Sequence, residues 1–234
     1  MRFGLIGDGR IAKRHRTAIK RIGGEISSVY DPLNNNCPDL DEQFFRGLDF
    51  VSICSPTRFH HDHLQIAAAH NVQIIVEKPM VLPWQPIINY PNVFVVLQLR
   101  WGDLPEKAKT IEIVAARNSA YFSGLKGSPF ATGGIFFTLF IHYIDLALRT
   151  GAEFEALITP EGKQERWMDD IDLTTLDMDE AYFRMYQDMV NGIGVKPEEL
   201  SELNWLLTRY TERFGSGKDL LNKQIKFKPV KRFI

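Results

Sequence analysis

Two cysteines are all the thiol chemistry in this 234-residue sequence. Cys37 lies in a polar stretch and Cys54 in an apolar one, so no disulfide framework is implied and a reducing compartment suits the chain. An excess of charge of either sign is also missing. With 28 basic residues against 29 acidic ones, a net −1, neither nucleic acid nor a membrane surface is expected as a partner. The basic residues that do cluster, Lys13 to Arg16 and Lys226 to Arg232, read as the solvated side of a helix and as an exposed C-terminal strand. No apolar run approaches membrane-spanning length, and Phe3 to Ile6, soon followed by Asp8, is too short for a signal sequence. A cytoplasmic protein is expected. What remains, 44% hydrophobic and 24% charged, has enough apolar mass for one good core or two modest ones.

The most informative stretch runs from Arg2 to His15. An apolar segment, Phe3 to Ile6, leads into Gly7-Asp8-Gly9-Arg10-Ile11-Ala12, a G-x-G-x-x-A, and then into residues that favour helix. A strand, a glycine turn and a helix in that order suit a dinucleotide's pyrophosphate. Gly7 allows the tight turn, Gly9 leaves room for the phosphates, and the helix start offers N–H groups and partial positive charge. Gly7, Gly9, Arg10 and Ile11 are therefore candidate cofactor residues. The next strand, Ile26 to Tyr30, ends at Asp31, 24 positions after Gly7, where a carboxylate can accept from the adenosine ribose. No Arg or Lys lies in Pro32 to Asp41 to receive a 2′-phosphate, so NAD is expected rather than NADP.

Beyond Asp31 the pattern alternates. A helix is expected over Lys13 to Ile22, buried strands over Asp49 to Cys54, Gln73 to Val76 and Val93 to Leu97, and a helix over about His61 to His70. Only a trimmed crossover fits between Ile26–Tyr30 and Asp49–Cys54. Pro83, Pro86 and Pro91 argue against a long helix before Asn92. Such alternation builds a doubly wound parallel sheet whose ligands gather at the carboxyl ends of the strands. The glycine loop, Asp31, Ser55 to His60, Glu77-Lys78-Pro79 and Gln98 to Trp101 all fall at such ends. Lys78 can hold and acidify a hydroxyl there, and Arg100 can bind a carboxylate or phosphate, an internal ion pair being the alternative. His60-His61-Asp62-His63 invites a metal reading, but adjacent helical residues point apart and no acidic third ligand stands beside the pair. No metal is expected.

A second domain is expected from residue 105 to 234, after a first from 1 to 104. Its strand candidates are Lys109 to Ala115, Ser119 to Phe122, Phe154 to Thr159, Glu165 to Met168 and Ile225 to Phe227. An apolar helix over Gly133 to Arg149 carries His142 and Asp145, an i, i+3 pair on one face. Imidazole can take a hydroxyl proton while the carboxylate fixes its tautomer. Met178 to Ile193 and Glu198 to Phe214 read as helices whose aromatics, Tyr182, Phe183, Tyr186, Trp205 and Tyr210, are core. A small open sheet leaves a face or edge exposed, so a homodimer or higher homo-oligomer is expected.

Together, G-D-G-R-I-A, S-I-C-S-P-T-R-F-H, V-E-K-P and H-Y-I-D resemble the glucose–fructose oxidoreductase / inositol dehydrogenase / MocA family. L-Q-L-R and G-G-I-F-F…I-H-Y-I-D look most like the branch that oxidises UDP-N-acetylglucosaminuronic acid at C3 in surface-polysaccharide synthesis. The resemblance implies an N-terminal Rossmann doubly wound parallel sheet plus a shortened C-terminal α+β domain with an open, mainly antiparallel sheet. It further implies NAD as cofactor, a small-molecule sugar substrate, and Lys78, His142 and Asp145 as catalytic residues. Ser55, Pro56, Thr57, His60, Glu77 and Lys78 match the loops against the nicotinamide, with Thr57 in place of the family's common asparagine. Gln98, Arg100 and Lys126 are the substrate candidates, Lys126 by its loop alone. Two other readings stay open: an inactive dinucleotide-binding sensor or scaffold, and a reductase of a non-sugar carbonyl.

Overall fold

The structure, a computed structural model, describes residues 1–33, 37–124, 128–215 and 217–229. The strands are β1 (Arg2–Ile6), β2 (Glu25–Tyr30), β3 (Phe50–Ile53), β4 (Gln73–Val76), β5 (Val93–Val95), β6 (Thr110–Ala116), β7 (Glu153–Thr159), β8 (Glu165–Met168), β9 (Ile171–Asp172) and β10 (Gln224–Phe227). The helices are α1 (Ala12–Arg21), α2 (Glu42–Phe45), α3 (His60–Ala68), α4 (Ser119–Ser123), α5 (Pro129–Thr132), α6 (Ile141–Thr150), α7 (Met178–Met189) and α8 (Leu200–Phe214).

The chain forms two compact units: Met1–Trp101 with Met178–Glu199, and Gly102–Asp177 with Leu200–Ile234. A simple cut after residue 104 therefore misplaces one segment, because α7 returns to the first unit. The reason is a bare sheet face. The stretch after β4 holds no helix, so the face beside α1 needs another cover. Tyr182, Met185, Tyr186 and Met189, each at most 2% exposed, pack there with Phe3, Leu5, Ile19, Phe50, Phe94 and Val96. Met185 and Met189 alone each gain about 1.5–3 kcal/mol of gross burial.

The first sheet has the order β2-β1-β3-β4-β5, and all four pairings are parallel. Its short apolar strands are buried as parallel strands between helices must be. The β2–β3 crossover is indeed trimmed. It holds only the four-residue α2, whose start is capped by the Asp41 carboxylate accepting from Gln43 and Phe44 N–H. Strand order reverses between β1 and β3, which makes the crevice above them the switch point where doubly wound sheets bind ligands.

The second unit has the order β10-β7-β6-β8-β9. Only β6–β7 is parallel, so the sheet is mainly antiparallel. Alternation sets its faces. Ile111, Ile113 and Ala115 on β6, and Phe154, Ala156 and Ile158 on β7, point into the core, which Phe136 and Phe140 just before α6 and Tyr210 on α8 complete. The opposite face carries charge, including Lys226 paired with Glu153 at 3.0 Å and with Glu155. Ser119–Ser123 is a helix rather than the expected strand, because Asn118 caps it by accepting from the Tyr121 N–H at 3.0 Å. Trp205, read as core, is 36% exposed.

Pro129–Thr150 is, among the described residues, the one helical stretch long and apolar enough to cross a membrane. The sequence reading missed it because the stretch gains its length by running through Gly133 and Gly134, both at positive φ. Its apolar window is 72% buried within the protein, as suits a core element. A π-helical turn, Phe136–Phe140, leads into α6, a phase change that no periodicity argument anticipates.

Candidate active site

Four hydrogen bonds at the carboxyl ends of the first sheet build one rim. Gly7 N–H donates to Tyr30 O at 2.7 Å, Cys54 N–H to Ile6 O at 2.8 Å, Glu77 N–H to Ile53 O at 3.0 Å, and Val96 N–H to Val76 O at 2.9 Å. The segments Asp31, Gly7, Ser55, Lys78 and Gln98 therefore follow one another at strand spacing. From the β2 end to the β4 end is three spacings, about 14 Å.

At the switch point, Gly7 has φ +94, and a Cβ on it would stand 2.7 Å from the Ser55 nitrogen. Only glycine allows the β1 and β3 turns to touch. Gly9 differs: nothing lies within 4 Å of a Cβ placed there, and that open space is the room a pyrophosphate requires. No side chain caps α1, and its first turn holds no acid, so its N-terminus suits an anion. Ile11 is half-buried at that helix start and Arg10 is exposed. Asp8 would repel phosphate, but Arg16 pairs with it at 2.9 Å. Asp31 ties the loop down, accepting from Asp8 N–H at 2.7 Å and from Leu33 N–H at 2.9 Å. These residues fit the dinucleotide the sequence implies.

Ser55 and Thr57 are half-buried and Pro56 is exposed in the turn after β3. The Ser55 hydroxyl bonds His63 Nδ1 at 2.8 Å. His60 stands differently from its expected place on the cofactor. It is 1% exposed, with Nδ1 2.8 Å from Pro79 O and Nε2 2.8 Å from Ser55 O. Burial lowers its pKa, and the two carbonyls offset only part of that. Both ring nitrogens face the protein's own backbone, so His60 pins the two rim turns together from behind.

Glu77 likewise turns inward. Its Oε1 accepts from Tyr182 OH at 2.6 Å and from His15 Nε2 at 3.1 Å, and its Oε2 accepts from the Lys78 N–H at 3.1 Å. Burial alone would raise its pKa. Hydrogen bonding and attraction to His15, the Lys78 charge and the Tyr182 hydroxyl outweigh burial and bring it to about 2. Lys78 is half-buried at the rim. Burial lowers its pKa while Glu77 pulls it upward.

Arg100 is engaged by an internal partner: Nη1 donates to Glu199 at 2.8 Å, and the guanidinium side chain is 12% exposed. Gln98 Oε1, by contrast, is buried with no hydrogen-bond partner among the described residues, a state that calls for an explanation such as a ligand. Lys126 lies outside the described residues.

In the second unit, α6 buries both His142, 9% exposed, and Asp145, 4% exposed. Their i, i+3 spacing puts them on one side of that helix.

His15 was missed by the sequence reading, which took Lys13 to Arg16 as a solvated face. It is fully buried. A signal existed: His15 shares its helical stripe with Ala12, Ala18 and Ile19, all buried.

Residues 1–90 match the model of an oxidoreductase family with an NAD-binding Rossmann fold. Solved structures share the fold at low identity. The WlbA (WbpB) dehydrogenase from Thermus thermophilus, in complex with NAD and UDP-GlcNAcA, is 21% identical over 90% of this chain and 94% of its own, with a TM-score of 0.69. The WlbA dehydrogenase from Bordetella pertussis, in complex with NADH and UDP-GlcNAcA, is 17% identical over 97% and 98%, with a TM-score of 0.65. A myo-inositol dehydrogenase from Corynebacterium glutamicum is 15% identical over 98% and 99%, with a TM-score of 0.64. Residues 1–90, which build the glycine rim, thus match the Gfo/Idh/MocA oxidoreductase family and carry its NAD-binding Rossmann fold.

Proposed function

We propose that this oxidoreductase transfers hydride between NAD and a sugar that is nucleotide-linked or acidic, such as UDP-N-acetylglucosaminuronic acid at C3, in the synthesis of surface-polysaccharide sugars. The observation that carries this reading is Lys78. It is a half-buried lysine with a lowered pKa, placed on the same rim as the glycine loop and one strand from the Ser55 turn. A lysine so placed can donate to a ring hydroxyl and ease its deprotonation. NAD, when bound, supplies the hydride acceptor.

The protein's own residues do the remaining work in this reading. His142 takes the hydroxyl proton and Asp145 sets the imidazole's tautomer. Gln98, through its unsatisfied Oε1, accepts from a substrate hydroxyl. Arg100 and Lys126 hold the anionic group, Arg100 by exchanging Glu199, whose side chain is 45% exposed, for the ligand. The structural neighbours crystallised with a nicotinamide cofactor and UDP-GlcNAcA support the substrate class. We also infer a homodimer or larger assembly in the cytoplasm, and a monomeric mass in solution would remove the first part of that inference.

The test is the ultraviolet band of reduced nicotinamide, followed after adding NAD and a panel of UDP-sugars that includes the uronic acids. A rise with one acidic sugar is expected. If calorimetry shows NAD bound yet no sugar or keto acid changes its redox state, the dinucleotide-sensor reading replaces this one.

A further inference from the structure

We propose that His15, Tyr182 and Tyr186 are positioning residues for Lys78, acting through Glu77, and that α7 serves the reaction by bringing the two tyrosines beneath the rim. The proposal rests on Lys78 being a reacting group, as inferred above.

The argument is one of hydrogen-bond accounting. Glu77 is 6% exposed, and a buried carboxylate is tolerated only where its oxygens are satisfied. A carboxylate only accepts, so His15 must carry a proton on Nε2, the atom 3.1 Å from Glu77 Oε1. Nδ1 faces Tyr186 OH at 2.6 Å, and the hydroxyl is its donor whenever the ring is neutral. Tyr186, having given its proton, accepts from the Ser52 hydroxyl at 2.7 Å. Tyr182 adds the other donor to Oε1 at 2.6 Å. Every member is buried, so the chain Ser52, Tyr186, His15, Glu77 and Tyr182 has a consistent set of donors and no solvent to replace a missing one.

The far end of this chain is the reacting residue. Glu77 Oε2 accepts the Lys78 amide at 3.1 Å, so fixing the carboxylate also fixes the backbone from which Lys78 projects. Packing alone does not require this chemistry. Phenylalanine at 182 and 186 would fill the same space against Phe3 and Met185, and leucine in place of His15 would suit a stripe of Ala12, Ala18 and Ile19. Three polar groups have instead been placed at an apolar junction, and all of them lead to Glu77.

The experiment uses the full chain with Tyr182→Phe or Tyr186→Phe. Both changes keep the ring and remove only the hydroxyl. Amide hydrogen exchange is read residue by residue with NAD present. Lys78 N–H is expected to exchange roughly five- to tenfold faster in Tyr182→Phe, and less so in Tyr186→Phe, which acts through His15. The Ile75 and Val76 amides should keep their wild-type rates. On a sugar that the wild type turns over, kcat should fall roughly tenfold while the Kd for NAD and the KM stay within about twofold. An unchanged Lys78 amide, or acceleration of the whole strand together, overturns the positioning role. If no sugar is turned over by the wild type, the functional reading fails on its own, and the amide result still decides whether the network holds Lys78.

Discussion

The Gly7 α-carbon and the Ser55 amide are pressed so closely together that a single added methyl group on Gly7 would lie 2.7 Å from the Ser55 nitrogen. Gly9, two residues on, has nothing within 4 Å of the same position. The two glycines of one motif therefore serve different ends. Gly7→Ala should lower stability by about 1–3 kcal/mol, from a strained φ and a backbone clash. Gly9→Ala should leave the melting temperature of the cofactor-free protein unchanged and weaken NAD by roughly tenfold or more. Thermal melts and calorimetry on both variants check the split. A destabilised Gly9→Ala protein with normal NAD affinity would refute it.

Asp31 supports a preference for NAD. Its carboxylate already braces Asp8 N–H and Leu33 N–H, and ionised it would repel a 2′-phosphate. The wild type should bind NAD at least about tenfold more tightly than NADP. Asp31→Asn keeps acceptor capacity while losing the charge, so it should narrow that gap from both sides. Equal affinity for the two dinucleotides in the wild type would remove the role.

Lys78→Met should cut turnover by about 100-fold or more while NAD binding stays within about twofold. Met keeps much of the buried stem and loses only the ammonium. A variant that still reduces NAD at the wild-type rate would take Lys78 out of the chemistry.

His63 sets a pH window for stability. Burial, then His60, lowers its pKa from 6.5 to about 4, with Asp62 opposing. Between those values the unfolded chain binds a proton that the folded chain refuses. This contribution to stability is complete above pH 6.5 and is lost as pH falls toward 4. The melting temperature of the wild type should decline across that window more steeply than that of His63→Gln, which cannot titrate there. Parallel declines would show that His63 is not the group responsible.

Much of the first unit was legible because its determinants are contiguous. Phe3 to Ile6 reads as a strand, Gly7 and Gly9 as a phosphate turn, and Gln73 to Val76 matches β4 residue for residue. Prolines at 83, 86 and 91 correctly predicted a stretch without helix before β5. Ser119–Ser123 misled because its aromatic content fits a strand, whereas the Asn118 cap decides for helix. His60 lies at the expected rim but faces inward, against Pro79 O and Ser55 O, while Glu77 lies there with its carboxylate on the Lys78 amide. A residue's position at a strand end follows from sequence order, whereas its side-chain direction follows from which partners are close.

The sequence by itself therefore determined the strand–glycine–helix entry, the run of parallel strands and the gathering of Asp31, Gly7, Ser55, Lys78 and Gln98 at one rim. Each rests on local geometry and on the rule that successive parallel strands present their ends on one side. Only the tertiary structure decided that α7 crosses back to the first unit, that His15 is buried, and that Arg100 already holds Glu199. An amphipathic helix shows that one of its faces must be covered but not by which surface. That choice is made by the sheet face left bare after β4, some 100 residues earlier in the chain.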